Sequence, residues 1–176
     1  LGGSLIIPEG VTEIQQGAFK GCKSLTGTLS LPSTLKYIGN SGSKPNHETC
    51  NEDVDYYNGS FQECGFVCEL IIPEGVELIR GYAFENCKGL YGNLKLKRLG
   101  DRTFFQCKNL TGSLSIPQGI VDIPKESFSG CSFDGTLNLH DGIATIGEYA
   151  FSNCHFKGEL NLPRNLTVIN DNVFNG

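Results

Sequence analysis

The unit Phe-x-x-Cys recurs six times, at Phe19/Cys22, Phe61/Cys64, Phe84/Cys87, Phe104/Cys107, Phe128/Cys131 and Phe151/Cys154, and Phe174 begins a seventh. From Cys64 onward the cysteines of this unit lie 23, 20, 24 and 23 residues apart. A period of that size marks a solenoid, because a single turn cannot bury its own apolar edge and must stack on its neighbours.

Each period carries the same frame. A short alternating run closes on proline in five turns, at Leu5 to Pro8, Leu29 to Pro32, Leu70 to Pro73, Leu114 to Pro117 and Leu160 to Pro163. That pattern predicts a strand stopped by a residue with no N–H for the ladder. His140 stands in the proline position of the sixth turn. An apolar pair three residues apart follows, as in Val11/Ile14, Leu35/Ile38, Val76/Ile79, Ile120/Ile123, Ile143/Ile146 and Leu166/Ile169, and predicts a second strand. The stretch around Ala-Phe-x-x-Cys then reads as one to two turns of helix, with Pro124 at an acceptable helix start.

Spacing and side-chain volume change together. Where Leu25, Leu90 or Leu110 stands three places after the cysteine, the next strand leucine is seven residues past that cysteine. Where Phe66, Phe133 or Phe156 stands two places after it, the distance is six. A larger side chain reaching a shared interior from a tighter connection is what a packed core requires. Two turns depart from the frame. The fourth, Leu94 to Gly100, lacks the Pro-x-x-Val segment and runs four residues short. The second carries about eighteen extra residues, and Ser41 to Gly59, polar and rich in turn formers, is expected to leave the solenoid as a loop.

The frame resembles the BspA-like leucine-rich repeats, whose turns read roughly L-x-I-x-I-P-x-x-V-x-x-I-G-x-x-A-F-x-x-C-x-x-L. The resemblance covers the chain outside the Ser41 to Gly59 insertion. It implies an α/β repeat, a right-handed leucine-rich-repeat solenoid with two short strands and a short helix in each of about seven turns. It also implies a secreted or cell-surface protein, linked in several family members to adhesion to host matrix or other cells. It carries no residue-level site. The glycine of that pattern after the second strand is Gly39 and Gly147 here, but Gln15, Arg80 and Pro124 elsewhere.

Seven turns in 176 residues supply a continuous apolar column without a cofactor. The chain starts and stops inside repeats, and it lacks an initiating Met, a signal peptide and any run of about 18 apolar residues that would span a bilayer. It therefore reads as one solenoid domain over residues 1–176, cut from a longer chain. A net charge of -5 without a basic stripe argues against nucleic acid and anionic membrane as partners. Lys95, Lys97, Arg98 and Arg102 form the one basic cluster and read as a solvated rim.

Six of the eight cysteines share one slot of successive turns, which favours a column of small reduced thiols over a disulfide scaffold. Cys50 and Cys68 lie off the frame; a Cys50–Cys68 disulfide tethering the insertion is expected, with free thiols as the alternative. No metal is expected. His47, Cys50, Cys64 and Cys68 match no established zinc spacing, and Glu48, Glu52, Asp53 and Asp55 lack the ligand order and glycine of a calcium loop. Catalysis is not expected either, since no motif gives a cysteine a base, and His155 beside Cys154 would point away from it on a helix. Asn58, Asn109 and Asn165 head Asn-x-Ser/Thr sequons that matter only in a eukaryotic secretory pathway.

What remains is surface. Residues alternating with the buried strand leucines form two outward rows. One comprises Ser4, Thr28, Glu69, Asn93, Ser113, Thr136 and Glu159; the other comprises Ile6, Ser30, Ile71, Lys95, Ser115, Asn138 and Asn161. Candidate binding residues are Glu69, Asn93, Asn138 and Asn161 in these rows and Tyr56 and Tyr57 in the insertion. The expected function is a noncatalytic adhesion module that contacts a host matrix or cell-surface protein, or a surface glycan; the alternative is a structural spacer.

Overall fold

The computed structural model describes residues 2–39, 58–92, 94 and 96–176. Among them are nine two-residue strands: β1 (Leu5–Ile6), β2 (Glu13–Ile14), β3 (Leu29–Ser30), β4 (Tyr37–Ile38), β5 (Leu78–Ile79), β6 (Leu114–Ser115), β7 (Asp122–Ile123), β8 (Leu137–Asn138) and β9 (Thr145–Ile146). All pairings are parallel and join equivalent positions of successive turns: β1 with β3, β2 with β4 and β4 with β5, β6 with β8, and β7 with β9. Leu5 lies beside Leu29 and Ile14 beside Ile38, so the inward leucines and isoleucines stack in columns. The period-two pattern decides which side is dry: Leu29, Leu114 and Leu137 are buried while Ser30, Ser115 and Asn138 are exposed.

The proline stop is a tight turn. The N–H three residues on donates to the proline carbonyl, from Leu35 to Pro32 at 3.1 Å, Val76 to Pro73 at 3.0 Å and Ile120 to Pro117 at 2.9 Å. His140 keeps this turn through Ile143 N–H to its own carbonyl at 3.1 Å. Its ring adds two bonds that proline cannot make: Nε2 lies 2.9 Å from the Pro117 carbonyl oxygen, and Gly142 N–H donates to Nδ1 at 3.1 Å.

The expected helix is absent from the described residues; the Ala-Phe-x-x-Cys stretch is a run of turns. The reason lies in the backbone. In most turns two left-handed residues flank the phenylalanine at minus two and plus two, for example Tyr82 (φ 62°) and Asn86 (φ 58°) around Phe84, or Arg102 (φ 53°) and Gln106 (φ 60°) around Phe104. Left-handed residues four positions apart break an α-helix. The N–H groups alternate in direction instead. Cys87 donates back to Phe84 at 3.0 Å, whereas Phe84 donates across to Thr103 at 2.9 Å and Asn86 to Phe105 at 2.8 Å in the next turn. The corner is thus a third inter-turn ladder, which accounts for backbone groups that a helix would have satisfied within itself.

The core is a stack of rings. Phe19, Phe61, Phe84, Phe104, Phe128, Phe151 and Phe174 lie face to face at centroid spacings of 5.3 to 5.7 Å. Phe66, Phe133 and Phe156 meet that stack edge-on, against Phe61, Phe128 and Phe151. Leu25, Leu90 and Leu110 are buried in the other turns, so the covariation of spacing with volume describes one shared interior. In the shortened fourth turn Leu94 and Leu96 stay buried, and Leu99 bridges to Ile79.

Candidate functional site

The cysteine column has a specific geometry. Each thiol donates to the carbonyl oxygen of the phenylalanine one turn back: Cys64 to Phe19 at 3.0 Å, Cys87 to Phe61 at 2.9 Å, Cys107 to Phe84 at 3.0 Å, Cys131 to Phe104 at 3.1 Å and Cys154 to Phe128 at 3.2 Å. The same carbonyl accepts the cysteine N–H of its own turn, so one acceptor ties two turns together. Burial raises these thiols. Cys64 and Cys154 are pushed up to about 12, and Cys87, Cys107 and Cys131 stand well above the ordinary value. A thiol held protonated is a poor nucleophile and a poor metal ligand. Among the described residues no group of three His, Cys, Asp or Glu side chains is placed to hold a metal ion.

Cys68 is buried, and its Sγ lies 3.4 Å from the Leu29 amide nitrogen, which donates to it. In the equivalent slot other turns carry glycine, as Gly27, Gly112 and Gly135. Cys68 thus closes a place where β3 finds no strand partner in the third turn. Cys50, the other half of the expected disulfide, lies outside the described residues, as do Tyr56, Tyr57, His47 and the acidic residues Glu48 to Asp55.

The first-strand rows are exposed at every described member, Glu69, Asn138 and Asn161 included; Asn93 and Lys95 lie outside the described residues. Neighbours along a row are hydrogen-bonded across turns. Thr28 Oγ1 donates to Ser4 Oγ at 3.1 Å, Thr136 Oγ1 to Ser113 Oγ at 3.1 Å, and Asn138 Nδ2 to Ser115 Oγ at 3.0 Å. Two members of the second row are apolar and exposed, Ile6 at 74% and Ile71 at 67%.

A second polar group, which spacing alone did not reveal, lines the Phe-x-x-Cys corner. Glu85 is buried and accepts a hydrogen bond from Gln62 Nε2, and burial pushes its carboxyl above the usual range, partly offset by that bond. Arg102 pairs with Glu126 at 2.8 Å and sits over the Phe105 and Tyr82 rings at 4.9 and 5.8 Å. Lys97 and Arg98 are exposed, so the basic residues do not act as one cluster: Arg102 is committed to the corner. A sequence signal existed for Arg102 and Glu126 alone, in the left-handed slot two places before phenylalanine where Gly17 of the first turn becomes Tyr82, Arg102 and Glu126.

Of the sequon asparagines, Asn109 and Asn165 are exposed, while Ser60, the third residue of the Asn58 sequon, is buried with its hydroxyl bonded to the Ile14 carbonyl at 3.3 Å. No helix among the described residues is long and apolar enough to cross a membrane.

The family model for BspA-type leucine-rich repeat regions matches residues 3–91 and 92–176 in six copies. Two solved structures share the fold. A leucine-rich repeat protein of T. pallidum is 19% identical with a TM-score of 0.58, over 88% of this chain and 77% of that one. A leucine-rich cell surface protein of Faecalibacterium prausnitzii A2-165 is 21% identical with a TM-score of 0.52, over 100% of this chain and 51% of that one, so the chain spans about half its length. Among curated protein sequences none matches.

Proposed function

The chain belongs to the BspA-type leucine-rich repeat family, and from that premise we propose that it is a noncatalytic protein-interaction module, adhesive in role, of a cell-surface or secreted protein. The observation that carries this reading is the first-strand face: rows rich in Ser, Thr and Asn, exposed and cross-bonded between turns, on a stack in which burial holds the Cys87, Cys107 and Cys131 thiols well above their ordinary pKa. Such a surface is extended and already ordered, so a partner binds it with little loss of side-chain freedom. Its partner is a host matrix or cell-surface protein. The rows lack the Trp, Tyr and Arg anchors of tight interfaces, which implies modest affinity per site. That same lack favours the second reading, a spacer that holds another domain away from the cell.

Binding of the chain to immobilised matrix proteins, mucins and glycans tests the two. Saturable binding weakened by Ser115→Lys with Asn138→Lys and Asn161→Lys places the contact on the strand face. Binding lost only on deletion of 41–59 moves it to the insertion. Absence of saturable binding to every surface supports the spacer.

A further inference from the structure

Asn58 and Gly59 stand just before the second phenylalanine of the ring stack, and the fold constrains both. A Cβ on Gly59 would lie 1.7 Å from the Tyr82 carbonyl oxygen of the next turn, so packing admits only glycine there. Glycine after asparagine leaves the following amide nitrogen unobstructed for attack on the side-chain carboxamide. The Asn58 carboxamide is also polarised: Lys20 Nζ of the first turn donates to its Oδ1 at 2.6 Å.

We propose that Asn58 is a self-modifying site that deamidates within the folded chain, with Gly59 N as nucleophile and the Lys20 ammonium as the group that stabilises the oxyanion. Gly59 N leaves its 3.3 Å bond to Gln62 Oε1, loses its proton to solvent and bonds to Asn58 Cγ. Negative charge collects on Oδ1, where Lys20 already donates; a positioned donor at a developing oxyanion lowers the barrier to its formation. Nδ2 takes a proton from solvent, and collapse of the adduct expels it as ammonia and leaves a five-membered succinimide. Water opens that ring at either carbonyl, leaving an aspartyl or an isoaspartyl residue in place of the asparagine, with no oxidant or cofactor. In the aspartyl product the new carboxylate stands where Lys20 already donates, and a hydrogen bond to a neutral carboxamide becomes an ion pair; in the isoaspartyl product that carbon becomes the peptide carbonyl and the carboxylate is the former main-chain one.

The test is ageing of the intact chain at neutral pH, read by peptide mass mapping and by isoaspartate-specific methylation. Wild type and Lys20→Gln are compared, each folded and in urea, with Asn175-Gly176 as an internal reference. Expected is conversion at Asn58 in folded wild type at least as fast as in urea, slowed several-fold by Lys20→Gln in the folded state only. Matched melting curves check that the variant folds. Persistence of Asn58 in the folded chain while the urea sample converts overturns the proposal, as does an equal rate in folded Lys20→Gln. Ammonia loss that resists mild base and links the peptides bearing residues 20 and 58 also overturns it, by making Lys20 the nucleophile.

Discussion

The thiol of Cys107 donates to the carbonyl oxygen of Phe84, one turn back, at 3.0 Å, and the Cys87 N–H donates to that same oxygen at 3.0 Å. The cysteine slot is therefore an inter-turn hydrogen bond as well as a small apolar filler. Cys107→Ala removes the donor and leaves a gap the size of one sulfur, while the carbonyl keeps its backbone partner. The expected cost is about 1–2 kcal/mol in urea unfolding. An unchanged midpoint would show that the thiol adds nothing.

Alkali should unfold the protein through this column. In the unfolded chain a thiol ionises near its ordinary 9.0, whereas Cys64 and Cys154 in the fold wait until about 12. Their stabilisation is complete below pH 9.0 and declines as pH rises toward about 12, by about 1.4 kcal/mol per thiol per pH unit. Cys87, Cys107 and Cys131 act in the same direction. Chemical denaturation from about pH 8 to about pH 11 should show a steep loss that Cys107→Ala makes shallower. A flat profile would mean that the buried thiols ionise in place.

Glu85 gives a slope in the acid range. Burial raises its carboxyl, so its charged form is the less favourable one in the fold. The protonated form's advantage is fully present below the unfolded value near 4.5 and disappears as pH rises through the higher folded value. Glu85→Gln, which keeps the shape and accepts from Gln62, should match or exceed wild type in melting temperature at neutral pH and lose this part of the pH dependence. Destabilisation at neutral pH would instead make the coulombic attraction of Arg102 decisive.

The ring stack should be the costliest place to cut. Phe104 is fully buried between Phe84 and Phe128 at 5.6 and 5.7 Å. Phe104→Ala is expected to cost about 3–5 kcal/mol, and Phe104→Leu substantially less. Equal losses would point to ring stacking rather than volume.

Gly65 tests the closeness of the turns. A Cβ there would lie 2.2 Å from the Lys23 carbonyl oxygen, a backbone atom held by the stack. Gly65→Ala should cost about 1–3 kcal/mol by thermal or urea unfolding. Gly112, with nothing within 4 Å of its Cβ position, has room instead; its φ of 78° makes any cost there one of strain.

Much of this was legible in the residues. Periodicity alone placed both strands of the first, second, fifth and sixth turns, the proline turns, the phenylalanine and cysteine columns and the compensation between Leu90-type and Phe133-type turns, because each is a choice of volume and polarity repeated at a fixed spacing; the strands expected at Leu70 to Pro73, Leu160 to Pro163 and Leu166 to Ile169 did not form. Tertiary structure decided what depends on a neighbouring turn. The corner is a ladder rather than a helix, because the Phe84 and Asn86 N–H groups find carbonyls in the next turn while left-handed residues stand four apart. Cys68 went to the Leu29 amide, and Glu85, Gln62 and Arg102 converged from separate repeats. Backbone direction and contacts between turns are set by the stack as a whole, and no single repeat encodes them.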